Sequence, residues 1–173
     1  MKRLSWTVVL LFWIAAPALG QGVYPLDKES LRGLPGVYVN VGSLAHEIEA
    51  EGLTKEQLRI EIEKRLRKAG IRVFTVDEVS TLISRPILNV EVASHQSPEL
   101  TKKLSTSLYA VSIEVDLHQA VRLDRLPKHL LMVTTWSDRA IGFATAKDLR
   151  TLRDQVGAYV DRFINDYLSV NHK

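Results

Sequence analysis

The chain contains no cysteine. Disulfides, thiolate nucleophiles and cysteine-based metal centres are therefore excluded, and so is the lipid-acylated cysteine of a bacterial lipoprotein. No G-x-x-x-x-G-K-[ST] loop or G-x-G-x-x-G turn is present to cradle phosphates. No G-x-S-x-G elbow is present to strain a nucleophilic serine. "GLPG" at Gly33–Gly36 is too short and too early for a phosphate loop. Internal repeats and low-complexity stretches are missing as well. A large charge of either sign is also lacking, with 23 Lys+Arg against 20 Asp+Glu.

What is present begins at the N-terminus. Lys2 and Arg3 precede an apolar run from Leu4 to Ala16, and Ala18-Leu19-Gly20 offers the small residues of a peptidase site. The run is short for a membrane span of about 20 residues. This pattern predicts a signal peptide over 1–20, cleaved after Gly20, and a periplasmic or secreted bacterial protein. Loss of Lys2 and Arg3 takes the basic count from 23 to 21 against 20 acidic residues. Near-neutral charge and an exported location both argue against a nucleic-acid partner. After Gly20 no stretch is apolar and long enough to predict a transmembrane helix.

Residues 21–36, with Gly22, Pro25, Gly33, Pro35 and Gly36, predict a flexible leader, and 37–173 a single domain. "GVYVNVG" alternates as a half-buried strand does. In "GLTKEQLRIEIEKRLRKAGIRV", Thr54 and Gln57 form a capping box and Leu53 and Leu58 a hydrophobic staple. Leu58, Ile62, Leu66 and Ala69 share a helical face, and Gly70 ends the helix. Glu61–Arg65 and Glu63–Arg67 are favourable pairs four residues apart. "IRVFT" and "ILNVEVA" predict strands, and His95–Ser107 a loop. Asp77–Pro86 is a connector. From Tyr109 to Asp124 the odd positions Tyr109, Val111, Ile113, Val115, Leu117, Val121 and Leu123 are apolar and the even ones mostly polar, the habit of an antiparallel strand with one face wet. "RLPKH" reads as a turn, "LLMVTTW" as a strand, "SDR" as another turn and "AIGFA" as a last strand. Leu149, Leu152, Val156, Val160, Phe163, Ile164 and Tyr167 stripe a long C-terminal helix, with Thr145 and Asp148 resembling a capping box. The expected fold is α+β: a mostly antiparallel sheet of about five to six strands, two amphipathic helices on one face, in the order β-α-β-β-β-β-β-α.

Three groups of residues could carry chemistry or binding. Glu114, Asp116 and His118 recur at every second position, with neighbours about 6.6–7 Å apart on one strand face. They could ligate a metal if a neighbouring strand added Glu91; as ordinary wet-face residues they need no ligand. Arg122, Arg125, Lys128 and His129 cluster around a hairpin tip, where an acidic partner or anionic lipid head groups could dock. His46-Glu47-Ile48-Glu49-Ala50-Glu51 resembles a zinc-protease helix, but Ala50 stands where the second histidine belongs. His95, His129 and His172 are isolated. Trp136 and Tyr38 could serve the core or a partner surface, the core being favoured for Trp136.

The stretch "GVYVNVGSLAHEIEAEGLTKEQLRIEIEKRLRKAGIRVFT", with "TTWS" and "VDRFINDYLSVN", resembles exported bacterial proteins of similar length without an assigned function. Within it, Val37–Thr75 looks like the N-terminal α/β domain of TolB and related envelope-assembly proteins, although TolB's propeller has no counterpart here. That resemblance implies a small envelope binding module and carries no catalytic residues across. The function expected is therefore a non-enzymatic binding or assembly module of the cell envelope, without a cofactor and with an envelope protein as partner. A metal-binding protein or metal-dependent enzyme centred on Glu114, Asp116 and His118, and a small-molecule or lipid carrier, stand as alternatives.

Overall fold

The computed structural model describes residues 28–96, 98–104 and 106–171. The expected signal peptide, its cleavage point after Gly20 and His172 lie outside them. Among the described residues the chain forms one four-stranded sheet in the order β1-β2-β3-β4: β1 Tyr38–Val41, β2 Ile87–Gln96, β3 Leu108–Leu123 and β4 Leu126–Thr145. Six helices accompany it: α1 His46–Ala50, α2 Lys55–Lys68, α3 Val76–Thr81, α4 Pro98–Leu104, α5 Ala146–Leu149 and α6 Leu152–Val170. β1 and β2 are parallel, joined by the crossover that carries α1, α2 and α3, whereas β2–β3 and β3–β4 are antiparallel. None of the described helices is long and apolar enough to cross a membrane.

The α+β class and the two long helices agree with the sequence patterns, but the expected five to six strands and two helices do not, since the described residues form four strands and six helices. "IRVFT" contributes only an isolated parallel bridge between Val73 and Val37. Its Ile71 and Phe74 are buried, so the apolar pattern reports packing rather than pairing. "LLMVTTW" and "AIGFA" are parts of one strand, because "SDR" does not turn. Ser137, Asp138 and Arg139 stay in register opposite Asp116, Val115 and Glu114. Asp138 there pairs with Arg162 on α6 at 2.9 Å, and the register sets Arg139 opposite Glu114. The expected loop from His95 instead ends β2 and forms α4. His46–Ala50 is a short helix with Ile48 completely buried.

The core lies between the sheet and the helices. From the strands come Val39, Val41, Leu88, Val90, Val92, Ile113, Val115, Leu117 and Trp136. From α2 come Leu58, Ile62 and Leu66, and from α6 Leu152, Val156, Val160, Phe163 and Ile164. α2 starts where predicted, since Thr54 and Gln57 exchange both capping bonds at 3.2 Å. Burial of Leu53 and Leu58 completes the staple. Gly70, with φ of 79°, turns the chain out of α2. Both helical ion pairs expected on α2 form, Glu61–Arg65 at 3.1 Å and Glu63–Arg67 at 2.8 Å. The C-terminal helix is split. Asp148 accepts from the backbone N–H and hydroxyl of Thr145, which starts the single turn α5, and α6 follows after Arg150 and Thr151.

Of the residues expected to form a leader, 28–36 pack onto this body. Leu31 and Leu34 are core residues, Tyr167 Oη donates to the Leu34 carbonyl at 2.8 Å, and Lys28 pairs with Asp166 at 2.6 Å. Trp136 belongs to the same corner. Its indole N–H donates to Asp166 at 3.1 Å and its ring meets Phe163 edge-on at 5.2 Å.

Candidate functional site

β3 and β4 outrun their neighbour. β2 ends its pairing at Ile87 opposite His118, so beyond that pair the two strands continue as a ribbon to the turn at Asp124 and Arg125. One backbone bond, Ala120 N–H to the Ser84 carbonyl at 2.7 Å, ties the ribbon's root to the loop before β2. The stretch from Gln119 to Leu123 extends it by about 16 Å at roughly 3.3 Å per residue.

Register assigns its faces. Ala120 opposes Met132 and Arg122 opposes Leu130 on one side, while Val121 opposes Leu131 and Gln119 opposes Val133 on the other. A register shift between Arg122 and Leu123 lets Pro127, Lys128 and His129 bulge from β4, where a proline costs no ladder bond. Val121, Leu123 and Val133 are half-buried, and the larger apolar side chains near the tip are exposed. Leu126, Leu130, Leu131 and Met132 are 44, 47, 39 and 47% exposed. Arg122, Arg125, Lys128 and His129 are exposed among them, as the sequence placed them. Among the described residues none of these four forms an ion pair within 4.0 Å. The ribbon is thus a wedge, apolar on both faces and positively charged at its end.

The second expected site lies nearer the middle of the sheet, on the face away from the helices. There Glu91 of β2, Glu114 of β3 and Arg139 of β4 form one cross-strand row, with Asn89, Asp116 and Ser137 in the next. The register does set Glu91 opposite Glu114. Like charges in that position repel, and Arg139 on Glu114's other side offsets the repulsion. Asn89 donates to Glu91 at 3.2 Å and accepts from Asn40 at 2.6 Å. The Glu91 carboxylate lies over Gly42, where a Cβ would overlap it. Burial raises the Asp116 pKa from its ordinary value, and repulsion by Glu114 adds to this, against attraction by His118 and Arg139. His118 stands at the edge of this face opposite Thr134. Among the described residues no three His, Asp or Glu side chains are placed to hold a metal ion. Glu47, in the segment that resembled a zinc motif, instead accepts from the Ser94 hydroxyl at 2.7 Å, and that bond lowers its pKa.

Two cavities are small. One of about 160 Å³ is lined by Glu51, Gly52, Leu53, Arg150, Arg153 and Asp154. An apolar groove of about 60 Å³ runs between β4 and α6 beside Ile141 and Phe143. Ligand pockets for drug-sized molecules are typically about 300–1,000 Å³.

The basic tip was legible in the sequence, but the apolar half of the ribbon was not. The available signal was Leu130-Leu131-Met132, three large apolar residues in succession inside an alternating strand. Such a run fills both faces, and here Leu130, Leu131 and Met132 are exposed on both.

No family model matches the chain, and no curated protein matches it. A solved structure of a minor lipoprotein from Acinetobacter baumannii is similar over 78% of this chain and 84% of that one, at 11% identity and a TM-score of 0.28.

Proposed function

We propose that this protein is an exported, non-enzymatic binding or assembly module of the bacterial cell envelope, and that the β3–β4 ribbon is its binding element. The observation that carries this reading is the exposure of Leu126, Leu130, Leu131 and Met132 on a projecting ribbon. Exposed large apolar side chains on a soluble surface mark interaction sites when they are contiguous. In the rest of the fold the apolar stripes of α2 and α6 are buried in one core, no buried side-chain polar atom among the described residues lacks a partner, and Ile141 and Phe143, at the other end of β4, are exposed. The signal-peptide pattern supports an exported location, and the resemblance of Val37–Thr75 to the first domain of TolB fits a module of this size.

Photo-crosslinking in the producing cell tests the reading. A benzophenone side chain replaces Leu131 or Met132 on the ribbon, or Ile60 on the exposed side of α2 as the reference. Adducts to an envelope protein or phospholipid are expected from the ribbon positions and not from Ile60. Equal labelling from all three, or none from the ribbon, would overturn the assignment.

A further inference from the structure

We infer that the ribbon docks on the surface of an anionic phospholipid bilayer, its apolar side chains entering the boundary between head groups and acyl chains. The inference rests on the binding-module reading above and names that module's partner. Three features point to lipid. The first is the two-sided apolar surface: Leu130 and Met132 face one way and Leu131 the other. A protein groove that receives a strand covers chiefly one side and one edge, whereas a fluid acyl layer surrounds an inserted ribbon.

The second feature is charge. Arg122, Arg125 and Lys128 are exposed at the same end, and none of them forms an ion pair within 4.0 Å among the described residues. Asp124 is the single carboxylate in the stretch from Arg122 to Met132. Cations that flank apolar side chains match phosphate groups lying above acyl chains, with each Lys or Arg near an anionic surface contributing about fivefold to binding. The acidic row of Glu91 and Glu114 and the neighbouring Asp116 sit well back along β3, from Asp116 to Arg122 about 20 Å, so repulsion from the same surface is weak beyond a Debye length of roughly 8–10 Å.

The third feature is reach. A ribbon of about 16 Å is too short for a hydrocarbon core of about 30 Å. It is long enough for the interfacial depth of about 5–10 Å used by surface-bound amphipathic segments. The geometry therefore permits docking on one leaflet and not spanning.

Flotation of the secreted protein with two vesicle types tests the inference: phosphatidylethanolamine with phosphatidylglycerol in equal parts, and phosphatidylcholine alone. Binding is expected to the anionic vesicles and to fall as salt rises. Arg125→Glu with Lys128→Glu is expected to weaken it by more than about 25-fold, and Leu131→Asp with Met132→Asp by about tenfold or more. Unchanged unfolding midpoints for both variants would show that the fold is intact. In a parallel measurement Leu131→Trp is expected to shift its emission to the blue on anionic vesicles alone. Absence of flotation, or flotation that the ribbon variants leave unchanged, would overturn the inference. If flotation is absent but ribbon crosslinks to an envelope protein persist, the bilayer is the wrong partner and the binding-module reading stands. If both are absent, both fail.

Discussion

Asp116 shows how a residue of chemical appearance can serve an ordinary surface. Its carboxyl is half-buried beside Glu114, and its pKa is raised, first by burial and then by that neighbour. A carboxyl with a raised folded-state pKa keeps its proton to higher pH in the folded chain than in the unfolded one. The ionised form is therefore a cost to folding above the folded pKa, and that cost disappears as pH falls below the unfolded value of about 3.9. Asp116→Asn is expected to raise the unfolding midpoint at neutral pH, with the gain shrinking toward about pH 4. Thermal unfolding at the two pH values measures it, and an equal gain at both would show that the ionised carboxylate is not the cause. The alternation from Tyr109 onward was enough to place Asp116 on the wet face. That Glu91 stands opposite Glu114 was legible only on the condition that their strands pair, because cross-strand register depends on which strands are neighbours.

Helix α6 shows how much an element's own sequence determines. Its stripe of Leu152, Val156, Val160, Phe163 and Ile164 is buried as the spacing predicts. Phe163 is completely buried, against Trp136 of β4 at 5.2 Å and Tyr167 one turn on at 6.4 Å. Phe163→Ala removes that contact between layers and leaves a cavity, so it is expected to cost about 3–5 kcal/mol, read from denaturant unfolding at constant slope. A loss below about 1 kcal/mol would mean that the corner collapses to fill the space. Strand β4 was harder to read, since "SDR" has the composition of a turn. Its extended path is paired with β3 through Ser137, Asp138 and Arg139, and Asp138 meets Arg162 of α6; β3 and α6 are both separated from it in sequence.

At the scale of the whole molecule, the described chain divides into a packed body and a ribbon that shares little with it. The body has a sheet face sealed by α2 and α6, whereas the ribbon has two strands tied at their root by Ala120 to Ser84 and by Gln119 to the Ser30 carbonyl, with most of its large apolar side chains exposed. Hydrogen exchange is expected to follow this division. Backbone amides of Ala120–Met132 should exchange on the order of tenfold or more faster than those of Ser112–Leu117, because local opening of the ribbon need not disturb the core. Uniform protection along β3 would show that the ribbon is covered in solution, by a second copy or another surface. The sequence by itself determined the α+β class, the capped start of α2, the buried stripes of both long helices, the wet and dry faces of β3 and the basic tip. Each of these follows from local periodicity or from groups a few residues apart. Tertiary structure alone decided that "IRVFT" forms an isolated bridge rather than a strand, that β4 runs through "SDR", and that β2 begins only at Ile87. The last point exposes Leu130, Leu131 and Met132, because whether an apolar strand residue is buried depends on where its neighbours end.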